Sequence, residues 1–163
     1  MLDGEERDNY PPGCLVIFTS KQCGWCNALE EQGLFDKLED RLDLGRGGVV
    51  MRLKANSKGL SSEAKIFNIE AAFPSFRYMT RNTFDRAIKS GDNYEPFINE
   101  ICYYNRQYNY VTKQVETTKE HPGIPTFESI QIFCDESAIE LDKRRNKAIL
   151  PVKSGFKMLY GKK

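Results

Sequence analysis

The chain contains one histidine, His121, and that scarcity removes two chemistries at the outset. A Ser–His or Cys–His nucleophile pair needs an imidazole, and His121 lies beside Pro122 in a loop-like segment far from any candidate nucleophile. A zinc site needs two ligands beyond the single Cys-x-x-Cys, and His121, Cys102 and Cys134 do not have metal-site spacing. No metal and no bound cofactor are therefore expected. No apolar run approaches the roughly 20 residues of a membrane-crossing helix. Met1 to Asp8 is acidic and polar, unlike a secretory leader, so a cytoplasmic location is the expectation. The cysteines number five, an odd set unsuited to a disulfide framework. Three of them, Cys14, Cys102 and Cys134, sit in apolar runs and read as small buried hydrophobes.

One region combines an absence of acidic residues with a high density of basic ones. From Lys143 to Lys163 there are eight Lys/Arg and no Asp or Glu. Removing those eight from the chain's 24 basic residues leaves 16 against 23 acidic residues over positions 1–142. An acidic body thus carries a basic tail. Such a tail suits a polyanion, an acidic partner or the chain's own acidic body. Two apolar islands interrupt it, Ile149-Leu150-Pro151-Val152 and Phe156 to Tyr160. A purely solvated tail has no need of them, so the segment is expected to pack on the domain or on a partner.

What the chain does have is Cys23-Gly24-Trp25-Cys26 between two ordered elements. Cys14-Leu15-Val16-Ile17-Phe18 reads as a buried strand before it. Ala28, Leu29, Leu34, Phe35, Leu38 and Leu42 recur at helical spacing after it, predicting one helix from Gly24 to Arg41. The first sulfur then lies at a helix N-terminus, where free N–H groups and the helix dipole favour a thiolate. The second, three residues on, shares the same face. Such a pair can open and close a disulfide.

Gly45, Gly47 and Gly48 predict a turn, and Val49 to Leu53 a second strand parallel to the first. Ser61 and Ser62 are candidate caps for a helix through Ile66, Phe67 and Ile69. Phe76 to Met79 alternates as a strand, and Arg81-Asn82-Thr83 reads as the turn of a hairpin into Phe84 to Ile88. A last amphipathic helix follows, with Phe97, Ile98, Ile101, Cys102 and Tyr104 on one side and Pro96 in its first turn. Further on, Phe127 to Phe133 alternates in part as a strand, and Ser137 to Lys147 reads as a short helix.

The resulting order, β-α-β-α-β-β-α with Cys-x-x-Cys after the first strand, resembles the thioredoxin superfamily over residues 13–106, about three-fifths of the chain. The motifs behind the resemblance are Cys23-Gly24-Trp25-Cys26 and Pro74 ahead of the third strand. Gly123-Ile124-Pro125-Thr126 matches the family's proline loop in letters, but the elements that follow favour Pro74. The resemblance implies an α/β thioredoxin-like fold, a mixed four-stranded sheet flanked by helices, with an N-terminal arm (1–12) and a C-terminal extension (107–163). It implies a cis bond before Pro74, with Phe73 offering its backbone to an extended substrate and Trp25 a flat surface beside the pair.

By that resemblance Cys23 is the attacking thiolate, Cys26 the resolving thiol and Gly24 part of the active-site turn. The expected activity is disulfide exchange with protein substrates. The chain departs from the family in placing Ile17 where many members have a buried acid that takes the resolving thiol's proton, which predicts slower turnover. Arg52 falls near a position often charged in the family, and Glu31 stands near a frequent helix proline. A second expectation, from a different class, is a structural or adaptor component of a large assembly, such as a virus particle. It would be anchored through residues 107–163, with contact to a polyanion through the Lys143–Lys163 tail.

Overall fold

The run from Cys14 to Phe18 is apolar at every position because both faces of its strand are covered. The computed structural model describes residues 2–55, 65–67, 69, 74–91, 93–104, 106–109, 111–112, 114–117 and 124–158. After a short helix α1 (Gly4–Arg7), strand β1 (Gly13–Ser20) runs through the centre of a four-stranded sheet. Helices α2 (Gly24–Glu31) and α3 (Leu34–Arg41) lead into β2 (Val49–Ala55), and β3 is Ser75–Thr80. Helix α4 (Arg81–Ser90) and a 3₁₀ segment (Glu95–Glu100) precede the short β4 (Cys102–Tyr103). A separate two-stranded ribbon, β5 (Arg106–Asn109) with β6 (Gln114–Thr117), precedes the long α5 (Phe127–Met158).

The sheet order is β2-β1-β3-β4. As expected, β1 and β2 are parallel, with Ile17 opposite Arg52; β3 is antiparallel to β1, and β4 to β3. Leu15 and Ile17 point into a core shared with Leu29, Phe35 and Leu38 of α2 and α3, and with Ile130, Cys134, Ala138 and Leu141 of α5. Cys14, Val16 and Phe18 face the other core, with Phe67, Phe84, Ala87, Phe97 and Ile101. A sheet covered by helices on both faces demands such a continuous apolar run at its centre.

Four sequence expectations are corrected. The single helix from Gly24 to Arg41 is two helices, because Gly33 adopts φ +78°, a left-handed conformation that ends one helix and re-aims the next. The re-aimed α3 buries Leu34, Phe35 and Leu38. The hairpin at residues 84–88 is helix α4: the Thr80 side chain accepts from the Thr83 N–H at its start, and Gly91 (φ +68°) closes it. Phe84 and Ala87, three apart, are buried while Ile88 is exposed, so a helical period overrides the apparent alternation.

The helix expected over residues 97–104 is instead a 3₁₀ turn with Pro96 at its start, followed by β4, whose Tyr103 and Cys102 pair with Arg77 and Tyr78. The strand expected at 127–133 belongs to α5, where Ile130, Cys134, Ala138 and Leu141 recur every three or four residues. The core thus crosses the boundary read at residue 106, and the segment read as an extension supplies part of it. The caps at Ser61 and Ser62 lie outside the described residues. Among the described residues no helix is long and apolar enough to cross a membrane.

Candidate active site

β1 ends at Ser20, and Cys23 is the N-cap of α2 in extended backbone conformation. Its Sγ accepts a hydrogen bond from the Cys26 N–H at 3.1 Å, and its own N–H donates to the Ser20 carbonyl at 3.1 Å. A sulfur used as the N-cap acceptor satisfies one of the helix's free N–H groups and sits at the positive end of its dipole. Cys23 is half-buried, whereas Cys26, inside the first turn, is 3% exposed. Burial, then the hydrogen bond with Cys23, push the Cys26 thiol up to about 12 from an ordinary 9.0. All five cysteines are free thiols in this structure. The pair thus divides into an accessible sulfur at a helix end and a shielded sulfur behind it.

Gly24 opens α2 and is exposed, and a side chain placed there meets nothing within 4 Å. Trp25, two residues after Cys23 in the first turn of α2, is 51% exposed and offers a large apolar surface to solvent. Pro74 is half-buried immediately before β3. Because Ser75 pairs with Phe18 near the C-terminal end of β1, the antiparallel register carries Pro74 to the sheet end from which the Cys23 turn emerges. Phe73 lies outside the described residues. Pro125 precedes a helix rather than a strand: Thr126 Oγ1 accepts from the Ser129 N–H at 3.0 Å at the head of α5.

Ile17 is fully buried among Leu29, Phe35 and Phe76, so an apolar contact occupies the position where a carboxylate was sought. Arg52, its partner on β2, turns its guanidinium toward three carboxylates. Nη2 donates to Glu30 at 2.6 Å and Nη1 to Glu39 at 3.0 Å, with Asp36 at 3.5 Å, and the group lies over the Phe35 ring. Cys26 and Arg52 line one cleft of about 60 Å³ together with Ser20, Lys21, Asn27, Glu30 and Lys54. Sequence reading missed Glu30 and Lys54. The four-residue step from Cys26 to Glu30 was available in the helix pattern; the approach of Arg52 and Lys54 depends on the pairing of β2 with β1.

Cys14, Cys102 and Cys134 are buried away from this end of the molecule, and burial raises all three thiols. Arg77 was also missed: it is 1% exposed, donates to the Phe67 and Phe76 carbonyls, and packs on the Tyr103 ring. It ties the segment around Phe67 to β3. No protein-family model and no curated protein sequence matches this chain.

Proposed function

We propose that this chain is a thiol–disulfide oxidoreductase of thioredoxin-like fold, acting on protein substrates in a reducing, cytoplasmic compartment. The observation that carries the reading is the division of labour between an accessible N-cap sulfur, Cys23, and a shielded sulfur one turn on, Cys26. In the reductive direction the Cys23 thiolate attacks a substrate disulfide, forming a Cys23–substrate bond and releasing one substrate thiolate. Cys26 then attacks Cys23, closing the Cys23–Cys26 disulfide and releasing the second. The dithiol is oxidised by two electrons and the substrate disulfide is reduced by two. Trp25 and the Pro74 loop, with Phe73, offer the surface on which an extended substrate segment lies.

Insulin reduction with dithiothreitol as electron source tests the activity. The wild-type chain is expected to accelerate precipitation of the insulin B chain, and Cys23→Ser to abolish the acceleration. Equal rates for the two would refute the reading.

A second reading, anchorage in a large assembly, draws support from α5. The helix continues 17 residues past Leu141, and that stretch includes Lys143, Arg144, Arg145, Lys147, Lys153 and Lys157. If it holds a polyanion, affinity for heparin should fall steeply with salt. A salt-independent response would remove this contact.

A further inference from the structure

Closing the Cys23–Cys26 bond requires Cys26 to shed its proton, yet its surroundings oppose ionisation. The thiol is 3% exposed, and Ile17 fills the β1 position beside Arg52 with a hydrocarbon. The one described cavity that Cys26 lines is the cleft of about 60 Å³ between α2 and β2. A single water needs roughly 10–15 Å³ and two to four polar partners. The walls supply those partners through Ser20, Asn27, Glu30, Arg52, Lys21 and Lys54.

Glu30 is the only carboxylate among the residues lining that cleft. It lies four residues after Cys26, so both side chains occupy the same face of α2. Its direction is set from outside the helix by the Arg52 ion pair at 2.6 Å. Arg52 is in turn held by Glu39 and Asp36 of α3 and by the Phe35 ring. With its side chain 46% exposed, Glu30 can pass a proton on to bulk solvent.

We propose that Glu30 accepts the Cys26 proton, through water in the cleft, as Cys26 attacks the Cys23–substrate disulfide; this inference rests on the thiol–disulfide reading above. The step balances. The Cys26–Cys23 sulfur bond forms as the Cys23–substrate sulfur bond breaks, and the substrate leaves as a thiolate that takes a proton from solvent. The Cys26 proton goes to the Glu30 carboxylate and from there to water. Arg52 is a positioning residue, acting through Glu30. Four charged groups surround the transfer: Lys21 in the turn, Glu30 on α2, and Arg52 and Lys54 on β2. The cations favour the anionic sulfur as it develops, and the carboxylate takes the proton.

The test separates the two chemical steps. Wild type, Glu30→Gln, Glu30→Asp and Glu31→Gln react with a protein disulfide, and the mixed disulfide is trapped in acid at set times. Glu31 is exposed and carries the same charge, so its variant controls for the loss of one negative charge. Formation of the mixed disulfide should be the same in all four. Its release at pH 7 should slow by about 10²-fold in Glu30→Gln, the low end of what a positioned base contributes. The deficit should shrink as pH rises and hydroxide takes over. Glu30→Asp should recover part of the rate and Glu31→Gln should match wild type. Release at the wild-type rate in Glu30→Gln, or an equal loss in Glu31→Gln, would overturn the role of Glu30 and leave the exchange reading standing. A wild-type chain that forms no mixed disulfide would overturn both.

Discussion

Cys23 and Cys26 belong to the same turn of sequence and to different solvents. Cys23 is half-buried, and the other four cysteines are at most 9% exposed. Iodoacetamide should therefore modify one thiol per native chain, at Cys23, and five in denaturant; native labelling of a second site by mass spectrometry would contradict the burial pattern. The buried thiols also give stability a pH dependence. Burial raises Cys14 and Cys26 to about 12 from 9.0, so the folded chain holds these protons more tightly than the unfolded one. Below about pH 9 neither state ionises them and their contribution is intact. Between about 9 and 12 the unfolded chain releases protons that the folded chain keeps, and stability falls by roughly 1.4 kcal/mol per pH unit for each such group. Tyr78, Cys102 and Cys134 shift in the same direction. Urea midpoints should stay flat from pH 7 to about 9 and then drop; a fall beginning on the acid side of that range would need another cause.

The break between α2 and α3 shows how one residue sets the course of an element. Gly33 at φ +78° lets the chain turn so that α2 presents Cys26 and Leu29 to the interior while α3 presents Leu34, Phe35 and Leu38. Phe35 is also the ring under Arg52, so the break contributes to the geometry of the cleft. A side chain at position 33 would meet nothing within 4 Å, so the penalty of Gly33→Ala is conformational. It should cost about 1–2 kcal/mol, and Gly33→Asn less. Denaturant unfolding of both variants measures this, and an alanine variant as stable as wild type would contradict the left-handed assignment. The spacing of Leu29, Leu34 and Leu38 reads nearly as well through a continuous helix as through a broken one, and Gly33 was the only local sign of the break. Helix α4 was misread for a related reason: Phe84, Arg86 and Ile88 alternate, but Thr80 as a cap and the Phe84–Ala87 step decide for the helix.

At the scale of the molecule, the N-terminal segment, the stretch after α3 and the first half of α5 are fastened together through Arg7 and Asp135. Arg7 Nε and Nη2 donate to the Asp135 carboxylate at 3.0–3.1 Å, and Nη1 donates to Asp43 at 2.6 Å. Gln131 Nε2 joins Asp135 at 3.1 Å and the Asp43 carbonyl at 2.9 Å, and the Leu2 N–H donates to Asp135 at 3.1 Å. Arg7 and Asp135 are 7% and 3% exposed, so Asp135→Ala leaves a buried guanidinium without its main partner. The loss should be about 3–5 kcal/mol, and a double variant with apolar residues at both positions should recover most of it. Equal losses in the single and double variants would place the effect in packing rather than charge. Deleting residues 124–163 would strip Ile130, Cys134, Ala138 and Leu141 from the core of β1, α2 and α3, so that truncation should abolish cooperative unfolding.

The sequence by itself determined the central strand, its parallel partner and the placement of Cys23-Gly24-Trp25-Cys26 between strand and helix. Those features rest on apolar runs and spacings between Cys14 and Leu53, where local chemistry speaks directly. Which carboxylate stands near Cys26 was decided only by tertiary structure. Arg52 reaches Glu30 because β2 pairs with β1 and α2 packs over them, and no local pattern in the chain records that meeting. The same holds for α5: Phe127 to Phe133 alternates like a strand, and its helical stripe of Ile130, Cys134, Ala138 and Leu141 is settled by packing against β1, α2 and α3, far back along the chain.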